Sequence, residues 1–151
     1  MSQENVEVAR RWYAMLPGLQ AVGPADEDAF LDRAFRDFLD ERYELRLPSG
    51  YPEGQPTFTG REGLAQMAAM LRDAWSEWRF EPERFLDAGD RVVVFVRVVA
   101  RGVGSGVPIE LPDAHVLTLR DGRLTATRVY RDRSEALQAA GLWEWAAGLE
   151  E

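Results

Sequence analysis

The segment spanning residues 106–132, GVPIELPDAHVLTLRDGRLTATRVYRD, constrains the fold of this chain more than any other. It predicts two β-strands joined at Asp121-Gly122, because an Asp-Gly pair between alternating sequences is a strong signal for a tight hairpin. Side chains on a strand point alternately to its two faces. On the first strand, one face carries Ile109, Leu111, Asp113, His115, Leu117 and Leu119. On the second strand, one face carries Leu124, Ala126, Arg128 and Tyr130.

Both of these faces are mostly apolar, so we expect them to turn toward the protein interior. The polar side chains that they carry are Asp113, His115, Arg128 and Tyr130. Buried polar groups are unfavourable unless they are hydrogen-bonded, so the pattern predicts either a polar network in the core or a small-molecule pocket. A one-residue bulge would reverse the facing of a strand, and Pro108 or Pro112 are candidate positions for one.

Composition narrows the classes of partner. The chain has 151 residues, enough for one domain with a core, and a net charge of −8. An acidic chain is unsuited to nucleic acid or to an anionic membrane surface, and we expect neither as a partner. Without cysteine and with one histidine, a disulfide, a thiolate metal site and a multi-histidine metal site are excluded. The polar, acidic start MSQENVE is unlike a signal peptide, so a cytoplasmic location is expected.

Helical patterns precede and follow a run of strands. Helices are predicted from Ser2 to the Pro17-Gly18 pair, over about residues 28–40, from Thr59 or Gly60 through an apolar stripe that ends at Trp75, and after an Asp132 or Ser134 cap. Strands are predicted at residues 43–47, 78–86 and 91–100, besides the hairpin. The turn-rich residues 48–60 are expected to form the mouth of a site. Helices beside an antiparallel sheet define one α+β domain over residues 1–151, with a core of about 2–142 and a tail at 143–151.

Four segments carry a resemblance to a known family: FTGREGLAQM, GDRVVV, AHVLTLRDGRL and YRDRSEALQAAGL. With the order of elements, they resemble SnoaL-like proteins of the nuclear transport factor 2-like superfamily over essentially the whole chain. The resemblance implies a cystatin-like cone, in which a curved antiparallel sheet wraps around N-terminal helices. The superfamily includes polyketide cyclases, ketosteroid isomerases, epoxide hydrolases, dehydratases and non-catalytic binding domains, so the fold alone does not give the activity.

The resemblance also assigns positions. Ketosteroid isomerases carry a basic Asp before a Pro, and here that position is Leu47, before Pro48. Their first-helix oxyanion Tyr falls at Trp12, with Tyr13 one residue on, and their second pocket acid falls near His115. The isomerase set is therefore not present as such. SnoaL-type cyclases use a pocket Asp as acid and base, which points to Asp113 here.

Each candidate has a catalytic and a structural interpretation. Asp113 and His115 are the predicted acid and base, since a histidine titrates near neutral pH. Alternatively, Asp113 caps a strand end and His115 donates to a backbone carbonyl. Arg128 and Tyr130 are predicted to bind substrate. Alternatively, Arg128 forms an internal ion pair and Tyr130 packs in the core. The predicted apolar walls of the pocket are Trp12, Tyr13, Trp75 and Leu117.

The leading hypothesis is a small-molecule-binding SnoaL-like domain that acts as a cofactor-free cyclase or isomerase on an apolar carbonyl compound. The alternatives are a non-catalytic ligand-binding or dimerisation module, and an epoxide hydrolase-like enzyme that would need an Asp-Arg-Asp-like set. A homodimer through the outer sheet face is also expected, because that face is more apolar than a solvated one. Its predicted members are Val93, Phe95, Val99, Val116, Val129, Thr118, Thr125 and Thr127.

Overall fold

The computed structural model describes residues 2–16, 26–48 and 57–142. Helices within these residues are α1 (Ser2–Met15), α2 (Glu27–Asp37), α3 (Gly60–Ala74) and α4 (Arg133–Ala139). The strands are β1 (Leu39–Arg46), β2 (Thr57–Thr59), β3 (Trp75–Ala88), β4 (Arg91–Gly102), β5 (Pro108–Arg120) and β6 (Arg123–Tyr130). The predicted end of the first helix at Pro17-Gly18, most of the predicted mouth loop and the predicted tail at 143–151 lie outside the described residues.

All six described strands form one sheet, in the order β2-β1-β6-β5-β4-β3. The predicted pairing of β4 with β5 is confirmed, since the two run antiparallel from the Arg91–Thr118 pair to the Arg101–Pro108 pair without a break in register. The sheet is mixed rather than purely antiparallel, because β1 runs parallel to β6. These two strands are distant in the sequence, so no tight hairpin dictates their relative direction.

The first three helices cover one face of this curved sheet, which confirms the predicted α+β architecture. Val92, Val94 and Val96 are fully buried on that inner face, as their alternation in the sequence predicts. They form one core with residues of α1, α2 and α3, including Ala9, Leu31 and Ala68. None of the described helices has the length and apolar character needed to cross a membrane.

The last helix covers part of the other face of the sheet. Ala136 and Leu137 of α4 pack against Val93, Phe95 and Val116. The helix is fixed at its start by the predicted cap, since the Asp132 carboxylate accepts hydrogen bonds from the backbone N–H groups of Ser134 at 2.8 Å and Glu135 at 3.4 Å.

Because α4 packs on the outer face of the sheet, less of that face is available for the expected dimer. Part of the apolar outer face that motivated it is already buried within the chain by α4. Two of its predicted members, Thr127 and Val129, lie on the inner face instead. Assembly through the sheet remains a prediction, with a smaller apolar face to support it.

Several element boundaries differ from the sequence-based prediction. The second helix ends at Asp37 instead of continuing to residue 40, and the Arg123 guanidinium satisfies the carbonyl groups of Phe35, Arg36 and Leu39 at this end. Strand β1 therefore begins at Leu39. The short strand β2 lies within the predicted loop, and Trp75 begins β3 rather than ending the third helix.

The most consequential difference is a bulge in β6. Leu119 pairs with Leu124, whereas Thr118 pairs with Ala126, so Thr125 is an extra residue in β6. The extra residue reverses the facing of every later residue on the strand. The prediction that Arg128 and Tyr130 face the same way as Asp113 is therefore wrong: they lie opposite Val116 and Ala114, on the outer face.

Candidate functional site

A cavity of about 390 Å³ lies between the inner face of the sheet and the first three helices. This volume is within the range of about 300–1,000 Å³ that is usual for small-molecule sites. Most of its walls are apolar. They include Trp12, Leu16, Phe30, Leu64, Met67, Trp75, Trp78, Phe80, Ile109 and Leu111.

Strand β5 places two polar side chains in this apolar wall. Asp113 and His115 are two residues apart, so they stand on the same face with Cα atoms about 7 Å apart. Their register on β4 is fixed by the Asp113–Val96 and His115–Val94 pairs. Both side chains are buried by the protein, at 8% and 6% exposure, yet both line the cavity. The predicted orientation of these two residues is therefore confirmed.

The imidazole of His115 is joined to the first helix by a hydrogen bond. The Tyr13 hydroxyl lies 2.5 Å from Nδ1 of His115. The two rings stack with centroids 5.9 Å apart, and Phe80 meets the imidazole in an edge-on contact at 6.0 Å. The backbone of β5 and the packing of α1 thus hold the ring in one orientation.

Burial fixes the charge state of this pair. It lowers the pKa of His115 to about 4, because a charged imidazole would lose its hydration. For the same reason, burial raises the pKa of the Tyr13 hydroxyl well above its ordinary value, and nearby Tyr43 adds to the rise. At neutral pH both groups are uncharged, so the contact is a neutral hydrogen bond.

The pKa of the Asp113 carboxyl group lies above its ordinary value. Burial raises its pKa, and the positive charges of Arg131 and Arg133 partly offset this rise. Arg131 itself lines the cavity. A carboxylate with a raised pKa beside an open cavity is a recognised sign of a functional site.

A second polar pair completes the lining. The Tyr43 hydroxyl donates to Oγ1 of Thr127 at 2.7 Å, and both residues are buried. Because this hydroxyl is already paired, it stabilises the wall of the cavity and is less available to a ligand.

The structure therefore brings together some of the residues that the sequence predicted for the site and separates others. Trp12, Tyr13 and Trp75 line the cavity as predicted. Leu117 faces inward but is fully buried in the core and is not part of the cavity lining. Arg128 and Tyr130 lie across the sheet, and Thr127, Val129 and Arg131 replace them in the cavity. Tyr43 and Arg131 were not predicted; alternation would have found Arg131 had the bulge at Thr125 been recognised.

The position of the isomerase base is apolar. Leu47, before Pro48, is part of the cavity wall. Among the described lining residues, Asp113 is the one carboxylate, so carboxylate chemistry in this part of the cavity falls to it. Within residues 2–16, 26–48 and 57–142, no group of three or more His, Asp or Glu side chains is placed to hold a metal ion.

The helices packed inside a curved sheet, with a cavity between them, define a nuclear transport factor 2-like fold. Residues 9–127 match the SnoaL-like domain family, and the chain belongs to that family. This confirms the resemblance inferred from the sequence motifs. No curated protein matches the chain at a significant level.

Solved structures agree on the fold. TerC, co-crystallised with polyporic acid, is 23% identical with a TM-score of 0.67, over 91% of this chain and 98% of its own. A nuclear transport factor 2-like protein of unknown function from Burkholderia pseudomallei is 22% identical with a TM-score of 0.66, over 91% and 97%. A protein with a ketosteroid isomerase-like fold from Catenulispora acidiphila, in complex with trimethylamine, is 20% identical with a TM-score of 0.56, over 80% and 95%.

Acidification should destabilise the protein through His115. The folded pKa of about 4 lies below the unfolded value of about 6.5, so only the unfolded chain binds the proton between these values. This contribution is fully present above pH 6.5 and is lost as the pH falls to about 4, by about 3 kcal/mol in total. Urea unfolding at a series of pH values measures it.

The matched control for this titration is His115→Asn. The chain has one histidine, so subtracting the variant's pH profile isolates the contribution of the imidazole. Identical profiles for the two proteins between pH 7 and pH 4 would show that the imidazole is not held neutral by burial.

Replacing Asp113 should stabilise the protein at neutral pH. The raised pKa of Asp113 means that the folded protein favours its protonated form, so its contribution is full below the unfolded value and is lost as the pH rises through the folded one. Asp113→Asn is neutral at every pH, so it removes the cost of burying the charge and should raise the melting temperature at pH 7. The gain should vanish near pH 3, and a loss of stability at pH 7 would contradict it.

Proposed function

We propose that this SnoaL-like domain binds a small, mostly apolar carbonyl compound and catalyses cofactor-free proton transfer at the carbon beside the carbonyl. Such a step begins either an isomerisation or a ring closure. The observation that supports the proposal most is the placement of Asp113 beside the neutral Tyr13–His115 pair in an apolar cavity.

Asp113 is the proposed base. A general base is most effective when its pKa lies near the working pH, and burial raises the pKa of Asp113 in that direction. It removes a proton from the carbon next to the carbonyl; the electron pair of the broken C–H bond forms a C=C bond, and the π pair of the carbonyl moves to its oxygen. In an isomerisation Asp113 returns the proton to a different carbon of the conjugated enolate. In a ring closure the enolate carbon attacks a second carbonyl of the same molecule, and the alkoxide formed there takes the proton back from Asp113.

His115 is the proposed donor to the developing oxyanion. An imidazole nitrogen accepts more strongly than a phenol oxygen, so we assign the Tyr13 hydroxyl as donor to Nδ1. This assignment places the proton of the neutral ring on Nε2, which is then a fixed N–H donor for the ligand. A preorganised donor in a water-poor cavity stabilises an oxyanion more than it would in water.

Arg131 supports the same step from the edge of the cavity. Its positive charge partly offsets the effect of burial on Asp113, so the carboxylate stays ionisable. The epoxide hydrolase alternative needs a second aspartate beside such an Asp-Arg pair. The described lining residues supply one aspartate only.

Relatives of the fold are consistent with a small-molecule ligand, since TerC was co-crystallised with polyporic acid and the Catenulispora protein with trimethylamine. The competing proposal is a binding domain without catalysis. It shares the cavity and differs in whether Asp113 exchanges protons with the ligand.

Two measurements separate these proposals. Binding is followed by the fluorescence of 2-naphthol, a planar two-ring phenol whose oxygen stands in for the enolate. Catalysis is followed by NMR, as the exchange of the acidic protons of 2-tetralone for deuterium. We expect binding of the phenol and faster exchange than in buffer alone.

The variants assign the roles. Asp113→Asn should retain 2-naphthol binding and lower the exchange rate by about a hundredfold or more, because it removes the base. Tyr13→Phe and His115→Asn should weaken binding and lower exchange. Tyr130→Phe is the matched control from the outer face and should change neither. Binding without exchange would favour the non-catalytic domain, and failure of both would exclude this class of ligand.

A further inference from the structure

A second concave site lies on the outer face of the sheet and is unlike the apolar cavity. It is a groove of about 360 Å³ between strands β1, β4, β5 and β6 and the end of α4. Its lining includes Arg46, Arg91, Arg128, Thr118 and Tyr130, whose side chains are hydrogen-bond donors. The residues that the bulge removed from the inner cavity therefore form part of this groove.

The register of the sheet places two positively charged side chains next to each other in this groove. Arg46 on β1 is paired directly with Arg128 on β6, and like charges at directly opposite positions destabilise a sheet. The Glu44 carboxylate forms an ion pair with Nε of Arg46 and partly neutralises its charge. Within residues 2–16, 26–48 and 57–142, Arg128 has no carboxylate partner. Three arginines thus face one glutamate in the groove of a chain whose net charge is −8.

The guanidinium groups of Arg128 and Arg91 are held in place, and each keeps N–H groups that are free to bind. The carbon at the centre of the Arg128 guanidinium lies 5.1 Å from the centroid of the Tyr130 ring. An aromatic ring contacts the flat face of a guanidinium, which leaves the in-plane N–H groups free to bind. Arg91 uses Nη1 to donate to the carbonyl of Ala139 at 2.8 Å, which fixes its position at the end of α4.

We propose that this groove binds an oxyanion, namely the phosphate or carboxylate group of a small molecule. The planar donor fork of arginine matches both groups, and an anion between Arg46 and Arg128 relieves their repulsion. The hydroxyl groups of Thr118 and Tyr130 supply further donors at its edge. The site is separate from the cavity that holds Asp113 and is independent of its chemistry.

The test compares the melting temperature of the full chain in phosphate, acetate and chloride at equal ionic strength. An anion that binds only the folded protein raises the melting temperature, and the rise grows with the logarithm of its concentration once this exceeds the dissociation constant. Phosphate also stabilises proteins nonspecifically, so we expect phosphate or acetate to raise it above chloride by more in the wild type than in Arg128→Gln, and the larger of these two differences identifies the preferred group. Equal melting temperatures in all three salts would overturn the proposal.

Two variants place the effect in the groove. Arg128→Gln should weaken anion binding about tenfold, since it removes a charged donor fork. In chloride alone the same variant should be no less stable than the wild type, because it removes the repulsion with Arg46. Arg120→Gln makes the same charge change at an exposed position outside the groove and should behave as the wild type does.

The dimer predicted through the outer sheet face would cover this groove, since Val116 and Thr118 belong to both, so the dimer and the anion site are alternatives that light scattering distinguishes. If a partner copy covers the groove, the wild type has a dimeric mass that Arg128→Gln lowers, and the proposal of a small oxyanion is overturned. The proposal is also overturned if phosphate or acetate stabilises Arg128→Gln as much as it stabilises the wild type.

Discussion

Both faces of the central sheet carry a concave site, so the alternation of each strand decides which chemistry a residue joins. On β5 the alternation is unbroken from Pro108 to Thr118, and it sends Asp113 and His115 into the apolar cavity. On β6 one extra residue, Thr125, reverses the alternation. This single insertion exchanges Arg128 for Arg131 at the cavity and moves an arginine into the outer groove.

The inner site combines burial with incomplete charge compensation. His115 is kept neutral by burial and held by Tyr13, which is 102 residues away in the sequence. Burial raises the pKa of Asp113 and so disfavours its charged form, an effect that Arg131 and Arg133 only partly offset. Positions that lower stability in this way are common in functional sites, because the same desolvation that weakens folding adjusts the reactivity of the group.

The sequence was sufficient for the parts of the structure that depend on local patterns. The valine alternation of β4, the Asp121-Gly122 turn and the Asp132 cap are local signals, and each is present as predicted. The facing of Asp113 and His115 follows from the same rule. The family motifs in turn gave the cone-like arrangement of helices and sheet.

The features that were missed depend on contacts between distant residues. The bulge at Thr125 has no proline or glycine to mark it, and it arises from the fit of β6 against β5 and β1. The early end of α2 is stabilised by Arg123, which is 88 residues away from the Phe35 carbonyl that it contacts. The contact of Tyr13 with His115 likewise needs the packing of α1 across the sheet.

The central claim is that Tyr13 holds a neutral imidazole whose Nε2 proton faces the ligand. Nitrogen-15 NMR of the single histidine tests this claim directly, because the two ring nitrogens have distinct shifts in each tautomer. We predict one neutral tautomer at pH 7, protonated at Nε2, that takes up a second proton only near pH 4. Its Nε2 signal should shift when 2-naphthol binds. An imidazolium at pH 7, or a ring signal that 2-naphthol leaves unchanged, would contradict the account.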